Sequence, residues 1–264
     1  MIKDGWCRVC VEAMADIWVK IEKGQHKSSC EDAVLVGPKI LEPGFHHFDE
    51  DLPGFLAVAD GVGGNNGAKE AAYFVLRHVI SSYHPGFTRE DLINSIVAID
   101  SLLIDYSSHV PEKENMATTL TLVIIEKDYA LYAQVGNTRL WEIRGDDLRQ
   151  VSRDQSAVQI CLDQGDPAEA SRHAPSELMG FMGGGDVCGI AFLKVGCLWQ
   201  GNDRPDYLLL TSDGIHDHIE PGVFRNIVLA NRNLPNRLFQ FLYSEAEKNL
   251  SVDDKSVLII NLKE

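Results

Sequence analysis

The sequence predicts an α+β fold in which two β-sheets pack together and helices cover their outer faces. Strand patterns come first along the chain, two consecutive helix patterns follow at residues 68–82 and from residue 88, and strand patterns then return. A further helix pattern around residues 238–248 leads to one last strand. Because a sheet face and an amphipathic helix must each bury an apolar surface, this order favours layered sheets with helices outside.

The strand patterns differ in how many faces are apolar. Residues 6–22 hold two strand-like segments. In the second, the apolar residues Ile17, Val19 and Ile21 alternate with Trp18, Lys20 and Glu22. Such alternation is typical of a strand with one buried face. Residues 55–59 are apolar throughout, as expected for a strand buried on both faces. Further strands are predicted at residues 33–36, 120–125, 129–135, 140–143, 208–211 and 257–262.

The two consecutive helices carry separate signals. Residues 68–82 place Ala72, Leu76 and Val79 on one face. The second helix begins at Thr88, whose hydroxyl can cap the backbone while Asp91 completes a pair resembling a capping box. Its apolar residues then recur at helical spacing, which indicates core packing and no chemistry.

Length and composition indicate a globular protein. The chain has 264 residues, 45% hydrophobic and 24% charged, and it contains no repeat, low-complexity tract or linker. A chain of this length can bury a large core in one unit. We therefore predict a single domain over residues 1–264. Residues 156–185, rich in Gly, Pro and Met, are interpreted as a surface flap.

Charge and cysteine usage restrict the partners and the compartment. The formal charge of −15 disfavours binding to nucleic acid or to anionic membranes. No apolar run approaches the roughly 18 residues that a membrane span needs, and no secretory signal is recognisable. The cysteines are dispersed, which favours free thiols in a reducing cytoplasm. A redox or zinc function for the Cys7-x-x-Cys10 pair is disfavoured because no second pair accompanies it.

Acidic residues stand at the ends of the buried strands. Asp60 and Asp213 each follow an apolar run, whereas Asp253 and the pair Glu31-Asp32 each precede one. A carboxylate at the rim of a core is costly unless a cation or strong donors compensate it. Each Asp-Gly pair alone is a common turn, so the prediction depends on the whole set. Oxygen ligands without thiolate or imidazole suit Mg²⁺ or Mn²⁺, not Zn²⁺.

In their order along the chain, these residues resemble the metal-dependent (PPM, or type 2C) serine/threonine protein phosphatase family, and specifically its bacterial branch. The matching motifs are Lys27-x-x-x-Glu31-Asp32-Ala33, Val58-Ala59-Asp60-Gly61-Val62-Gly63-Gly64, Met116-Ala117-Thr118-Thr119, Gly136-Asn137-Thr138-Arg139, Ser152-Arg153-Asp154-Gln155-Ser156, Thr211-Ser212-Asp213-Gly214-Ile215-His216-Asp217 and Asp253-Asp254-Lys255-Ser256-Val257. They span nearly the whole chain. The resemblance implies a four-layer α-β-β-α sandwich with the metals at one end of the paired sheets.

The resemblance also implies a role for each acid. Asp60 would bridge two Mn²⁺ or Mg²⁺ ions, and the carbonyl of Gly61 would complete one coordination shell. Asp213 and Asp253 would hold the first ion, and Glu31 would face the second through water. A water between the ions would attack phosphorus directly, so that no cysteine or serine nucleophile is required.

Further positions are assigned a supporting role or depart from the family pattern. Asp32 would support the acids from beside Glu31. Lys27 stands where the family commonly has an arginine that grips the phosphate, so we expect phosphate to be held less firmly. Asn137 replaces an aspartate that, with the residue matching Asp217, helps to bind a looser third ion. A third ion is therefore doubtful.

The general acid is not identified by sequence. Val62 replaces the histidine that some relatives use, and an apolar residue cannot donate a proton. His216 lies in the right motif, but a histidine in a turn after a strand is more often structural. Residues 180–185 are glycine-rich but lack the lysine and hydroxyl residues of a nucleotide-binding loop.

Three functions are compatible with these motifs. The first is hydrolysis of phosphoserine and phosphothreonine on proteins in the cytoplasm, an activity that opposes serine/threonine kinases. The second is a pseudophosphatase that binds phosphoproteins as a regulator, to which Asn137 and Lys27 give weight. The third is a specialised phosphatase that acts on one partner in a stress or secretion switch. Retention of all four core acids favours catalysis over binding alone.

Overall fold

A computed structural model describes residues 14–51, 54–63, 67–174, 176–185 and 187–263. The strand-like segment predicted before residue 14, the Cys7 and Cys10 pair and Gly64 lie outside these residues. Within them the strands form two six-stranded sheets and one two-stranded sheet, and the strand pairs are antiparallel.

The first sheet has the strand order β10-β9-β13-β14-β1-β4. Its members are β1 (Met14–Glu22), β4 (Gly44–Asp51), β9 (Arg139–Arg144), β10 (Asp147–Gln150), β13 (Tyr207–Thr211) and β14 (Lys255–Asn261). The central strands β13 and β14 pair from Tyr207 opposite Asn261 to Thr211 opposite Val257. This register places the end of β13 beside the start of β14.

The second sheet has the strand order β12-β8-β7-β5-β2-β3. Its members are β2 (Asp32–Val36), β3 (Lys39–Leu41), β5 (Gly54–Asp60), β7 (Leu120–Ile125), β8 (Tyr129–Val135) and β12 (Lys194–Gln200). The short strands β6 (Ala117–Thr118) and β11 (Met182–Gly183) form the two-stranded sheet.

Helices cover the outer face of each large sheet. The helices are α1 (Ala68–Ser82), α2 (Arg89–Ser108), α3 (Ala157–Asp163), α4 (Pro167–Ala170), α5 (Asp213–His216), α6 (Pro221–Asn231) and α7 (Pro235–Lys248), of which α3 and α4 lie in the flap and not on a sheet face. The helices α1 and α2 share a core with the second sheet, and α6 and α7 share one with the first. A third core lies between the sheets. The predicted α-β-β-α sandwich is confirmed.

Burial on both faces explains the continuous apolar run in β5. Ala57 and Ala59 face α1 and α2, whereas Leu56 and Val58 face the first sheet. A strand with two buried faces does not alternate in polarity. The run ends at Asp60, where the strand reaches the edge of the core.

The predicted capping box at the second helix is present. The hydroxyl of Thr88 accepts a hydrogen bond from the backbone N–H of Asp91, and the Asp91 carboxylate accepts one from the backbone N–H of Thr88, with N···O distances of 3.1 and 2.9 Å. Each contact satisfies a donor that the first turn of the helix leaves unpaired.

The sequence-based prediction missed the strands at the edges of both sheets. β3, β4, β10 and β12 are the four edge strands, and none of them was predicted. In β4, Phe45, His47 and Asp49 are exposed, and His46 and Phe48 are only half-buried, so the strand lacks a fully buried apolar face. α6 was also missed, and residues 156–185, interpreted as an irregular flap, contain the short helices α3 and α4.

Candidate metal centre and active site

The fold brings the predicted acids together at one end of the sandwich. Asp60 ends β5 and lies opposite Asp32, the first residue of β2. Asp213 follows β13, and Asp253 precedes β14, the strand paired with β13. The backbone N–H of Ser212 donates to the carbonyl of Ser256, with an N···O distance of 3.0 Å. This hydrogen bond holds the backbone just before Asp213 against the strand that follows Asp253.

Asp60 and Asp213 are neighbouring acids in this group. Their carboxyl groups are close enough to share a hydrogen bond. Burial and then the charge of Asp213 hold the pKa of Asp60 well above its ordinary value. Burial and then the charge of Asp253 raise the pKa of Asp213 as well. This group of acids is therefore short of positive charge.

Lys27 supplies one positive charge to the group. Its ammonium nitrogen lies 2.5 Å from a carboxylate oxygen of Asp253, 2.9 Å from one of Glu31 and 3.1 Å from one of Asp254. Burial alone would lower the pKa of Lys27, but its hydrogen bonds to Asp253 and Glu31 raise it overall. One ammonium cannot balance the six carboxylates of Asp32, Asp60, Asp213, Asp253, Asp254 and Glu31, so the acids fit an additional divalent cation or cations.

Asp254 holds the Lys27 segment in place, a role that the sequence did not reveal. Its Oδ1 accepts a hydrogen bond from the backbone N–H of Gly24 at 2.7 Å, and its Oδ2 accepts one from the backbone N–H of Glu31 at 2.8 Å. A side chain on Gly24 would lie 2.4 Å from the carbonyl oxygen of Val252. In the sequence, Asp254 is marked only as a member of the matched motif at residues 253–257, which gives it no role.

Asp32 is buried between the two sheets. Its Oδ2 accepts a hydrogen bond from the Ser212 hydroxyl at 2.7 Å, and its Oδ1 has no hydrogen-bond partner. Burial, and after it the charge of Asp254, raises the pKa of Asp32 to about 7, although nearby hydroxyl groups oppose that shift. Asp32 thus links the acids of one sheet to those of the other, as a supporting residue would.

The backbone of Asp60 is held by two neighbouring threonines. The N–H of Asp60 donates to the Thr119 hydroxyl at 3.0 Å, and the carbonyl of Asp60 accepts from the Thr119 N–H at 2.8 Å and from the Thr118 hydroxyl at 2.9 Å. These threonines belong to the matched motif at residues 116–119. The motif therefore fixes the backbone that presents the Asp60 carboxylate.

Gly61 lies where no side chain fits. A Cβ atom there would lie 2.5 Å from the carbonyl carbon and oxygen of Ala68, in the first turn of α1. The N–H of Gly61 donates to the carbonyl of Glu31 at 3.2 Å, which joins this loop to the Lys27 segment.

Asn137 and Asp217 lie on the Asp213 side of the acids. The side-chain amide of Asn137 donates to Asp213 at 2.9 Å, and its Oδ1 is buried without a partner. A guanidinium nitrogen of Arg139 lies 3.2 Å from Asp217. Burial and then the charge of Asp213 raise the pKa of Asp217 to about 7.

His216 does not have the properties of a general acid. Its side chain is 1% exposed, and Nδ1 lies 2.8 Å from the Thr211 hydroxyl. Burial and then the charge of Arg139 hold the pKa of His216 well below its ordinary value, so the imidazole is neutral near pH 7. Val62, beside Asp60, carries no ionisable group and donates its backbone N–H to the Ala117 carbonyl.

An α-β-β-α sandwich with carboxylates gathered at the strand ends defines the class of metal-dependent protein phosphatases. The family model described as protein phosphatase 2C matches residues 25–227. The chain belongs to the protein phosphatase 2C family, and the predicted family and enzyme class, protein-serine/threonine phosphatase, are confirmed.

Bacterial phosphatases are among the relatives. The chain is 26% identical to protein phosphatase PhpP of Streptococcus pneumoniae over 219 residues, which cover 79% of this chain and 86% of that protein. It is also 26% identical to serine/threonine protein phosphatase PstP of Mycobacterium tuberculosis over 204 residues, or 75% of this chain and 36% of that longer protein.

Solved structures share the fold. Serine/threonine phosphatase Stp1 from Staphylococcus aureus has a TM-score of 0.79 at 22% identity and covers 96% of this chain and 97% of its own. The catalytic domain of PstP, solved with two manganese ions, has a TM-score of 0.70 at 20% identity and covers 94% and 99%. The prediction of two Mn²⁺ or Mg²⁺ ions is in line with that neighbour. Within the described residues, no helix is long and apolar enough to cross a bilayer.

Proposed function

We propose that this protein hydrolyses phosphoserine and phosphothreonine on proteins, using two Mn²⁺ or Mg²⁺ ions held by its acids. One observation carries the proposal: the carboxyl groups of the buried Asp60 and the half-buried Asp213 lie close together among further acids, with too little positive charge around them. Buried like charges are retained at a cost in stability, and such costs are concentrated at functional sites.

The ligand roles follow the matched motifs. Asp60 would bridge the two ions with the carbonyl of Gly61 on one of them, Asp213 and Asp253 would hold the first ion, and Glu31 would face the second. When bound, the ions would supply Lewis acidity, lower the pKa of a water and neutralise the phosphoryl oxygens.

The rest of the site would position the substrate. Once cations balance Asp253 and Glu31, the ammonium of Lys27 is available to a phosphate group, as a point charge without the planar fork of an arginine. Asp32 would keep the two sheets in register beneath the ions through Ser212. The neutral, enclosed imidazole of His216 leaves protonation of the leaving oxygen to water.

The flap at residues 156–185 would border the substrate. β11 at its end pairs with β6, whose Thr118 bridges to Gly61 beside Asp60. The N–H of Gly183 donates at 2.8 Å to Asp100 in α2, which anchors that end of the flap. We propose one domain over residues 1–264, cytoplasmic, acting on phosphoproteins that serine/threonine kinases produce.

The test is hydrolysis of p-nitrophenyl phosphate and of a phosphothreonine peptide with Mn²⁺. We expect turnover that a chelator abolishes and that Asp60→Asn reduces at least ~10³-fold, because that residue would hold both ions. Circular dichroism of Asp60→Asn controls for folding.

A pseudophosphatase that binds phosphoproteins is the second candidate. The ion pairs of Lys27 with three carboxylates and the amide at Asn137 favour it. A folded wild-type protein that binds the phosphopeptide but shows no Mn²⁺-dependent turnover would select this candidate and reject the first.

A further inference from the structure

A groove runs along the outer face of α1, outside the acids of the metal centre. It has a volume of about 560 Å³ and is lined by α1 and the end of α2. Lys69, Tyr73 and Arg77 line it from α1, and the ammonium of Lys69 lies 5.3 Å from the centre of the Tyr73 ring. Residues four apart lie on one face of a helix. These three therefore form a row with a basic side chain at each end and an aromatic ring between them.

Three further rings form an aromatic wall of the groove: Phe74, His78 and Tyr106. Phe74 stacks on Tyr106 with 5.1 Å between ring centres, and on His78 with 4.1 Å. Tyr106 is nevertheless 46% exposed, so much of its ring is left for a partner to cover. Stacked rings that stay open to solvent in a groove of this size are typical of a binding surface.

The two basic side chains of the row lack an acidic partner. Among the residues that the structure describes, neither Lys69 nor Arg77 forms an ion pair. Glu70, beside Lys69, pairs with Lys113 at 2.7 Å, and Glu42 accepts a hydrogen bond from the tyrosine of the row at 3.1 Å. The chain as a whole carries a formal charge of −15, so unpaired cations stand against its general charge. They are available to carboxylates of another molecule.

The groove begins next to the metal centre. α1 starts at Ala68, whose carbonyl lies close against Gly61, the residue after Asp60. Lys69 lies in this first turn, and Arg77 lies about 12 Å further along the helix axis, at about 1.5 Å per residue. A protein substrate whose phosphorylated residue reaches the acids can therefore place a neighbouring segment along α1.

We propose that this groove docks an acidic segment of the phosphoprotein substrate, an inference that rests on the proposed phosphatase function. An extended segment advances about 3.3 Å per residue and presents every second side chain to the same side. Two carboxylates four residues apart are then about 13 Å apart, which matches the spacing of Lys69 and Arg77. The residue midway between them faces the aromatic wall. The segment recognised is an acid, any residue, an aromatic residue, any residue and an acid.

The sequence disfavours a second copy of this chain as the occupant. No Phe, Tyr or Trp in it has an acidic residue both two positions before and two positions after it. The net charge of −15 also makes two copies repel each other. A substrate segment needs its negative charge only where Lys69 and Arg77 meet it.

The first measurement is the binding of a fluorescent peptide, Glu-Ser-Trp-Ser-Glu, to the full chain by anisotropy. It should bind about fivefold or more tightly than Gln-Ser-Trp-Ser-Gln, which lacks both charges. Arg77→Glu should weaken it about tenfold, because a repulsion replaces an attraction. Tyr106→Ala should weaken it about fivefold through the lost aromatic contact. Arg237→Glu, the same change at an exposed arginine of α7, should bind as the wild type does.

The second measurement is the KM of a phosphothreonine peptide joined to each of these two segments by a flexible glycine-serine linker. Docking raises the effective concentration of the phosphothreonine at the metal centre, so the acidic segment should lower KM about tenfold and leave kcat unchanged. Arg77→Glu should remove that difference. It should not change the hydrolysis of p-nitrophenyl phosphate, which is too small to reach the groove. Arg237→Glu should leave both properties as in the wild type.

The docking groove and the phosphatase function can fail separately. Absent or equal binding of the two peptides by the wild type, or equal binding by the wild type and Arg77→Glu, would overturn the groove. A wild-type dimer that Arg77→Glu dissociates in size-exclusion chromatography would also overturn it, in favour of a second copy. Turnover with equal KM for the two joined peptides would reject the groove alone. Arg77-dependent binding of the acidic peptide without any Mn²⁺-dependent turnover would support the groove and reject catalysis.

Discussion

Replacement of Asp254 by alanine should destabilise the metal-free protein. Its two carboxylate oxygens accept backbone hydrogen bonds from Gly24 and Glu31, and one of them also contacts the Lys27 ammonium. The side chain is 1% exposed, so water cannot replace these contacts without a local rearrangement. Alanine leaves both N–H groups unpaired at the junction that carries Lys27.

The size of the effect follows from these contacts. A hydrogen bond to a charged group contributes about 1.5–3 kcal/mol, so two of them give about 3–6 kcal/mol. Removing the charge also relieves repulsion with Asp32, whose pKa the Asp254 carboxylate helps to raise. The part-exposed ion pair with Lys27 adds little. We expect a net loss of about 3 kcal/mol, which for a chain of this size corresponds to a Tm lower by about 6–12 °C.

Urea unfolding in the presence of a chelator, followed by circular dichroism, measures this loss. Asp254→Asn is the matched variant: it keeps one acceptor oxygen, so its free energy of unfolding should lie between those of the wild type and Asp254→Ala. Asp253→Ala is the second comparison, because the Asp253 side chain is 44% exposed and forms its ion pair with Lys27. Asp253→Ala should change metal-free stability little but remove most of the stabilisation that added Mn²⁺ gives.

Two results would refute this reasoning. The first is Asp254→Ala unfolding within 0.5 kcal/mol of the wild type, about the range of a surface substitution. The second is Asp254→Asn losing as much as Asp254→Ala, since the retained oxygen would then contribute nothing.

Three further predictions concern the fold and the phosphate site. Gly61→Ala should lower the free energy of unfolding by about 2 kcal/mol or more, as backbone overlap in a packed region does. Gly54→Ala, at the start of the strand that ends just before Gly61 and with open space around it, should be near neutral by urea unfolding. Asp100→Asn should raise stability at pH 7, because burial raises the pKa of Asp100 and the charged carboxylate therefore disfavours the folded state. This gain should vanish at a pH below the unfolded pKa of about 4, where Asp100 is protonated in both states. Thermal unfolding across pH measures it, and Asp105→Asn at an exposed position should show no gain. Lys27→Arg should tighten inhibition by inorganic phosphate, since arginine restores a planar fork, and unchanged inhibition would reject that role for position 27.

The central strands could be predicted from the sequence, and the edge strands could not. Each strand predicted within the described residues, such as Leu120–Ile125 and Tyr129–Val135, has neighbours on both sides and packs on a core. Its side chains therefore carry the apolar pattern that a sequence reveals. Edge strands such as Gly44–Asp51 are held by backbone hydrogen bonds to one neighbour and need no such pattern.

The same distinction separates the acids that could be predicted from the residues that hold them. Asp60 and Asp213 stand at the ends of apolar runs, so their position is encoded locally. Asp254 acts through the backbone N–H of Gly24, which lies 230 residues away along the chain. Thr119 holds the backbone of Asp60 from 59 residues away. Contacts with a distant backbone leave no periodic signal, so only the assembled sheets reveal them.

The acids are also better positioned than a surface cluster because two sheets meet at them. Asp32 and Asp60 come from paired strands of one sheet, whereas Asp213 follows a strand of the other. The hydrogen bond from Ser212 to Asp32 closes the gap between the sheets at 2.7 Å. Lengthening that contact would separate the carboxylates of one sheet from those of the other. Ser212→Ala should therefore weaken Mn²⁺ binding more than it lowers the free energy of unfolding in chelator, since the packed core between the sheets remains. Calorimetric titration with Mn²⁺ and urea unfolding, compared on the same variant, decide this; a loss of stability with unchanged Mn²⁺ affinity would mean that the sheets are held in register by the core alone.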